Sequence, residues 1–125
     1  GKLRPGRRED LITRHAPVAF DPRARCPTWE AALHRWMAGD RALIAYLRRA
    51  VGYTLTGDTM LKTLFFLHGP TDGGKSTFVE TLQALLGSDY GHKISAEVLM
   101  RKSFVTPNAA SPHLMAVIGR RLIFA

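Results

Sequence analysis

Apolar residues recur at helical spacing in three separate segments of this chain, and each segment ends at a glycine. The first segment covers about residues 29–38 and stops at Gly39. The second follows Asp40, whose side chain is well suited to cap a helix, and stops at Gly52. The third stops at Gly87. This pattern predicts three amphipathic helices, because glycine readily takes the left-handed conformation that terminates a helix.

Trp29 and Trp36 lie on the apolar face of the first predicted helix, together with Leu33. Thr28, directly before them, is a candidate N-cap. Tryptophan rings can also serve as platforms on which nucleic-acid bases stack. The helical spacing that the two rings share with Leu33 favours a place in the protein core instead.

Two short apolar runs predict buried strands. Residues 64–67 (L-F-F-L) precede a glycine-rich stretch, and residues 122–124 (L-I-F) follow two arginines. By contrast, residues 1–27 contain four of the seven prolines and few apolar residues, which is typical of an extended arm. We therefore divide the chain into a basic arm or linker over residues 1–27, a helical segment over 28–57 and an α/β part over 58–125.

The stretch between the first predicted strand and the third helix carries the clearest chemistry. Residues 69–76 read G-P-T-D-G-G-K-S, which fits the phosphate-binding loop (P-loop) G-x-x-x-x-G-K-[ST] at every specified position. In such a loop, backbone N–H groups point at phosphate oxygens, and the N-terminus of the following helix adds partial positive charge. We expect Lys75 to reach the β- and γ-phosphates as the catalytic residue, and the Ser76 hydroxyl to ligate Mg²⁺. The predicted nucleotide-binding residues are Gly69, Pro70, Thr71, Asp72, Gly73, Gly74, Lys75, Ser76 and Thr77.

The composition narrows the range of partners. The chain has 125 residues, 46% of them hydrophobic, and a formal net charge of +8. The apolar content favours one packed domain over disorder. The charge favours a polyanionic partner, nucleic acid first, although a solubilising surface gives the same balance. No apolar stretch approaches the ~20 residues of a membrane span, and the basic start lacks the apolar centre of a signal peptide.

Cys26 is the single cysteine, which excludes a disulfide within the chain and a cysteine-based metal site and suits a reducing cytoplasm. Nothing near it in the sequence resembles an activating base, so we do not expect it to act as a nucleophile. The five histidines are scattered without the paired spacing of metal ligands.

Four stretches of the chain together resemble a known family. Residues 19–30 (A-F-D-P-R-A-R-C-P-T-W-E) resemble a segment F-D-P-x-A-x-C-P-x-W that precedes the helicase domain of phage and plasmid primase-helicases, and residues 51–57 (V-G-Y-T-L-T-G) resemble their turn G-Y-x-L-T-G. Residues 65–78, together with 85–87 (L-L-G), resemble their P-loop strand and helix, and residues 119–123 (G-R-R-L-I) resemble the G-x-R-L entry to their acidic Walker B strand. The family is that of the superfamily-3 helicase domains.

The resemblance implies an α/β fold, with a P-loop NTPase core whose parallel sheet is truncated here and which follows a small helical segment. Residues 58–125 are then the N-terminal part of an ATPase domain that is incomplete at its C-terminus. The family implies an ATP-dependent DNA helicase that uses ATP and Mg²⁺, forms a homo-oligomeric, hexameric ring and binds DNA without sequence preference. It also implies replication of a phage or prophage in the cytoplasm of a bacterial host.

Two residues of the loop depart from the pattern of this family. Gly73 stands where asparagine is common, and Asp72 stands where a small neutral residue is usual. A carboxylate inside a phosphate cradle repels the ligand unless it points outward, so Asp72 is expected to lower nucleotide affinity.

Hydrolysis of ATP needs acidic residues and usually an arginine from a neighbouring subunit. In the family the acids follow the strand that residues 122–124 begin, so this chain is expected to be a fragment without ATPase activity of its own. Residues 64–67 are expected to share a sheet with that strand without pairing with it directly, and unpaired strands invite self-association. For Arg120 and Arg121, a structural or DNA-facing role is favoured over that of an arginine finger.

Two other functions fit the same motif. A P-loop kinase or unrelated NTPase uses the same loop for different chemistry. A non-catalytic module that binds nucleotide and DNA would also keep it. Paired acids and a polar sensor residue further along the parent protein would select the helicase, and a substrate lid would select the kinase.

Overall fold

Three helices and a two-stranded sheet make up the regular structure of residues 4–100 and 115–125, the parts of the chain that the computed structural model describes. None of the helices in these two ranges has both the length and the apolarity needed to cross a bilayer. Single turns of 3₁₀ helix lie at Arg8–Asp10 and Ala96–Val98. The helices are α1 (Pro27–Trp36), α2 (Arg41–Thr56) and α3 (Lys75–Tyr90), and the strands are β1 (Gly91–Lys93) and β2 (Leu122–Phe124).

Helix α1 confirms the first predicted helix but begins before the predicted cap. Its first residue is Pro27, so Thr28 is inside the helix and Cys26 occupies the N-cap without a side-chain hydrogen bond. Proline suits the first helical position, because its fixed φ is already helical. The N–H that proline lacks would have no intrahelical acceptor at that position. The helix ends as predicted before Gly39, which has a φ of 77° and donates its N–H to the carbonyl of His34 at 2.8 Å.

Helix α2 is capped as predicted, but it is longer than the pattern indicated. The Asp40 carboxylate accepts a hydrogen bond of 3.0 Å from the N–H of Leu43. The helix passes through Gly52 and ends at Gly57, whose φ of 68° is left-handed. A glycine inside a helix costs only about 1 kcal/mol relative to alanine, and packing of the half-buried residues around it offsets that cost.

Helix α3 has its predicted break at Gly87, where φ is 66° and ψ is −177°, and a last turn follows the kink. The N-terminal arm is docked at this point. A Cβ on Gly87 would lie 2.7 Å from Cδ of Pro17. The Tyr90 hydroxyl donates to the carbonyl of Arg14 at 3.0 Å, and the N–H of His15 donates to the carboxylate of Asp89 at 3.1 Å. Although the arm lacks regular structure here, hydrogen bonds between its backbone and two side chains of α3 hold it against the end of that helix.

The core lies where the three helices meet. Leu33 of α1, Ile44 of α2 and Phe78 of α3 are buried together. Trp29 stacks on Phe78 with ring centroids 5.6 Å apart, and Trp36 meets Trp29 edge to face at 5.9 Å. Both tryptophans therefore belong to the core, as their spacing predicted. The half-buried residues packed around it are Trp29, Trp36, Met37, Leu47, Val51, Val79 and Leu82.

The sheet contains one predicted strand and one that the pattern missed. Strand β2 confirms the apolar run at residues 122–124, and it pairs in parallel with β1, with Gly91 opposite Leu122 and Lys93 opposite Phe124. The first two residues of β1 are glycine and histidine, so no apolar run marks it. Helix α3 packs against both strands.

Residues 64–67 do not form the buried strand that was predicted for them. They carry no regular structure, and the side chains of Leu64 and Phe66 are 76% and 84% exposed. A strand needs a neighbour to bond its N–H and C=O groups, and within the described chain β2 pairs only with β1. The larger parallel sheet of a P-loop core therefore stays a prediction.

Candidate nucleotide-binding site

The predicted P-loop, residues 69–76, runs directly into α3, and its last glycine caps that helix. Gly74 occupies the N-cap with a φ of 76°, and its carbonyl accepts the first helical hydrogen bond, 2.8 Å from the N–H of Phe78. The N–H groups of Lys75, Ser76 and Thr77 come before that bond and donate to no group among the described residues. Three unoccupied donors at the positive end of α3 form an arrangement suited to a phosphate group.

The ammonium of Lys75 lies across the start of the loop. It donates to the carbonyl of Gly69 at 3.0 Å and to the carbonyl of Pro70 at 2.6 Å. The structure thus brings together three of the predicted site residues, with the cation held beside the loop backbone. These carbonyls are neutral partners, which an anionic phosphate oxygen can replace with a stronger, charge-assisted hydrogen bond.

The two residues that depart from the family pattern shape the turn within the loop. The N–H of Gly73 donates to the Pro70 carbonyl at 3.3 Å, and a Cβ on Gly73 would lie 3.1 Å from that same oxygen. Asp72 has a left-handed φ of 62° and is exposed, so water screens its carboxylate. Thr71 is also exposed.

Ser76 is exposed, and its hydroxyl makes no hydrogen bond within residues 4–100 and 115–125. A hydroxyl on the first turn of the helix, beside the three backbone N–H donors, is suited to ligate Mg²⁺ held by a nucleotide. No group of three or more His, Cys, Asp or Glu side chains in the described ranges has the arrangement of a metal site. Cys26 is exposed.

One residue near the loop was not predicted as part of the site. The indole of Trp36 lies against Gly74, so closely that a Cβ on this glycine would overlap the ring. The sequence placed Trp36 in the core by its spacing, but no local signal showed that the far end of α1 reaches the P-loop.

Arg120 and Arg121 bind the ends of two helices. The Arg121 guanidinium donates to the carbonyl of Thr56 at the end of α2. The Arg120 side chain donates to the carbonyl of Ser88, after the kink in α3, and to that of Ala116 at 3.0 Å. Cations suit these positions, because carbonyls at helix C-termini lack intrahelical partners and carry partial negative charge. These contacts are of the structural kind that was favoured for both arginines, and the choice against an arginine finger stays a prediction.

Comparison with known proteins relates the first part of the chain to one family. A family model described as D5 N terminal like matches residues 1–37, a segment that ends before the P-loop. It represents the N-terminal domain of phage and plasmid primase-helicase-like proteins, and the matched segment includes residues 19–30, the first of the four stretches that resemble that family. No curated protein and no solved structure matches the chain. The helicase domain itself stays a prediction.

Proposed function

We propose that this chain is the ATP-binding part of a DNA helicase domain from a phage- or plasmid-type primase-helicase. In the parent protein, hydrolysis of ATP would drive DNA unwinding during replication. The observation that carries the proposal is the loop over residues 69–76, which presents three unoccupied N–H donors and the Lys75 ammonium at one helix end. The family match of residues 1–37 favours a helicase over other P-loop proteins.

Lys75, Ser76 and Thr77 carry the separate roles in this proposal. The N–H groups of Lys75, Ser76 and Thr77 hold phosphate oxygens, and the Lys75 ammonium turns from the loop carbonyls to the β- and γ-phosphates. The Ser76 hydroxyl supplies a ligand for Mg²⁺, which neutralises phosphate charge when it is bound. The proposal extends to a hexameric ring of the parent protein in the cytoplasm of a bacterial host.

Nucleotide binding is tested first on this chain. Titration of a fluorescent ATP analogue in Mg²⁺ buffer should saturate, and unlabelled ATP should displace the analogue. Absence of binding at millimolar analogue would overturn the proposal. The helicase part is tested on the parent protein, whose rate of ATP hydrolysis should rise when single-stranded DNA is added. A rate of hydrolysis that DNA does not change would favour another P-loop enzyme.

Ser76→Ala should weaken nucleotide binding chiefly when Mg²⁺ is present, because only the metal-bound complex uses the hydroxyl. We expect the affinity of the variant and of the wild type to agree in EDTA and to differ in Mg²⁺. Ser88→Ala is a matched control, since Ser88 is an exposed serine after the kink of the same helix. An equal loss with and without the metal would argue against the ligand role.

The exposed face of α2 is the surface that best fits the proposed DNA partner. Arg41, Arg48 and Arg49 are exposed on α2. At about 100° per residue their side chains fall within about 100° of one another around the helix, with Arg49 lying farthest from buried Ile44. Arg48 lies 3.8 Å from the carboxylate of Glu30. Within the described ranges, no carboxylate lies within 4 Å of Arg41 or Arg49. Two arginines without acidic partners suit contacts with the phosphate backbone, which carry no sequence information.

Replacing Arg41 and Arg49 with alanine should weaken DNA binding and reduce its salt dependence. Each phosphate contact releases counterions, so the slope of log affinity against log salt should fall by about 1 per arginine. Fluorescence anisotropy of a labelled mixed-sequence oligonucleotide over a series of KCl concentrations measures this slope. The control is the double variant Arg23→Ala/Arg25→Ala, which removes the same charge from the exposed arm. An unchanged slope in the α2 variant would place the DNA contact elsewhere.

A further inference from the structure

The contact between Trp36 and Gly74 joins the helical hairpin α1–α2 to the P-loop. A Cβ on Gly74 would overlap the ring atoms Cδ2, Cε2 and Nε1 of the indole. The φ of Gly74 is 76°, a left-handed value at which an alanine costs about 1–2 kcal/mol. Glycine is therefore required here for two reasons, the backbone conformation and the space that the ring occupies.

The ring is itself held in place by its neighbours. Trp36 meets Trp29 edge to face at 5.9 Å, and Trp29 stacks on Phe78 at 5.6 Å. Gly74 and Phe78 lie one helical turn apart and are joined by the first hydrogen bond of α3. The two tryptophans of α1 thus brace both ends of the turn that carries the three unoccupied N–H donors.

We propose that Trp36 is a positioning residue for the phosphates of the bound nucleotide, an inference that rests on the proposed nucleotide binding. By packing on Gly74, the ring holds the left-handed cap and so fixes the direction of the N–H groups of Lys75, Ser76 and Thr77. Donors that are aimed before the ligand arrives bind it more tightly, because less conformational freedom is lost on binding. Since the indole touches the loop backbone, its fluorescence should also respond to the ligand.

The two tryptophans of the chain allow a direct optical test. Trp29→Phe leaves Trp36 as the single reporter, and Trp36→Phe leaves Trp29. On titration with MgATP, the emission of Trp36 should change saturably, with the same dissociation constant for ATP that displacement of the fluorescent analogue gives. The emission of Trp29, whose ring contacts Phe78 rather than the loop, should change less. If the protein binds nucleotide and the emission of Trp36 does not change, the inference is wrong.

A second test separates positioning from general support of the fold. Trp36→Ala should weaken MgATP binding about tenfold, equivalent to about 1.4 kcal/mol, whereas Leu47→Ala should lower the melting temperature with little change in affinity. The two side chains are half-buried in the same cluster, so they form a matched pair. If Trp36→Ala does not fold, Trp36→Leu keeps apolar volume without the flat ring and should still lose affinity.

The outcomes distinguish this inference from the function on which it rests. If the wild type binds no nucleotide, both the proposed function and this inference are wrong. If the wild type binds and both alanine variants lose affinity equally, Trp36 is merely structural and the inference alone is wrong.

Discussion

Replacing Lys75 with alanine is expected to remove nucleotide binding from the measurable range. The Lys75 ammonium is the one side-chain cation that the motif directs at the β- and γ-phosphates. Hydrogen bonds to charged groups contribute about 1.5–3 kcal/mol each, and loss of about 3 kcal/mol lowers affinity more than a hundredfold. The fold should survive, because among residues 4–100 and 115–125 the amine donates only to the loop carbonyls of Gly69 and Pro70. Titration with a fluorescent ATP analogue measures the loss, and circular dichroism verifies the helices.

The control for this variant is Lys93→Ala, which removes the same charge from an exposed lysine on β1. We expect it to bind nucleotide like the wild type, since β1 carries no residue of the P-loop. A folded Lys75→Ala protein with unchanged affinity would end the assignment of residues 69–76 as a phosphate-binding loop.

Phe78→Ala should have the largest effect on stability. The Phe78 side chain is 8% exposed, contacts the core with Leu33 and Ile44 and stacks on Trp29. Truncating a buried phenylalanine costs about 3–5 kcal/mol, a large share of the 5–15 kcal/mol that stabilises a typical domain. Thermal unfolding followed by circular dichroism should show a strongly lowered or absent transition.

Phe66→Ala is the matched control, and it also tests whether residues 64–67 are exposed or form a buried strand. Because Phe66 is 84% exposed in the structure, its loss should change stability by less than about 0.5 kcal/mol. The apolar pattern of residues 64–67 predicted instead a buried strand, in which the same substitution would cost about as much as Phe78→Ala. Equal destabilisation by the two variants would show that these residues are buried in solution, contrary to the structure.

The ends of the helices show which features a local sequence pattern predicts correctly. Asp40 caps α2 as predicted, because a carboxylate one residue before a helix satisfies N–H groups that the helix itself cannot. Gly39 and Gly87 end their helical segments because both adopt left-handed φ values. Gly52 has the same intrinsic preference, yet the helix continues through it, since the packing of neighbouring side chains outweighs about 1 kcal/mol of propensity.

The amino-acid sequence by itself determined where the candidate site lies, because the spacing of Gly69, Gly74 and Lys75 is local and the backbone of one loop places them. Only the tertiary structure decided what surrounds that loop. Strand β1 has no apolar run and exists because β2 pairs with it, and the contact of Trp36 with Gly74 joins residues 38 positions apart. Such contacts depend on how whole helices pack, and helix packing is set by the combined shape of many side chains rather than by any short pattern.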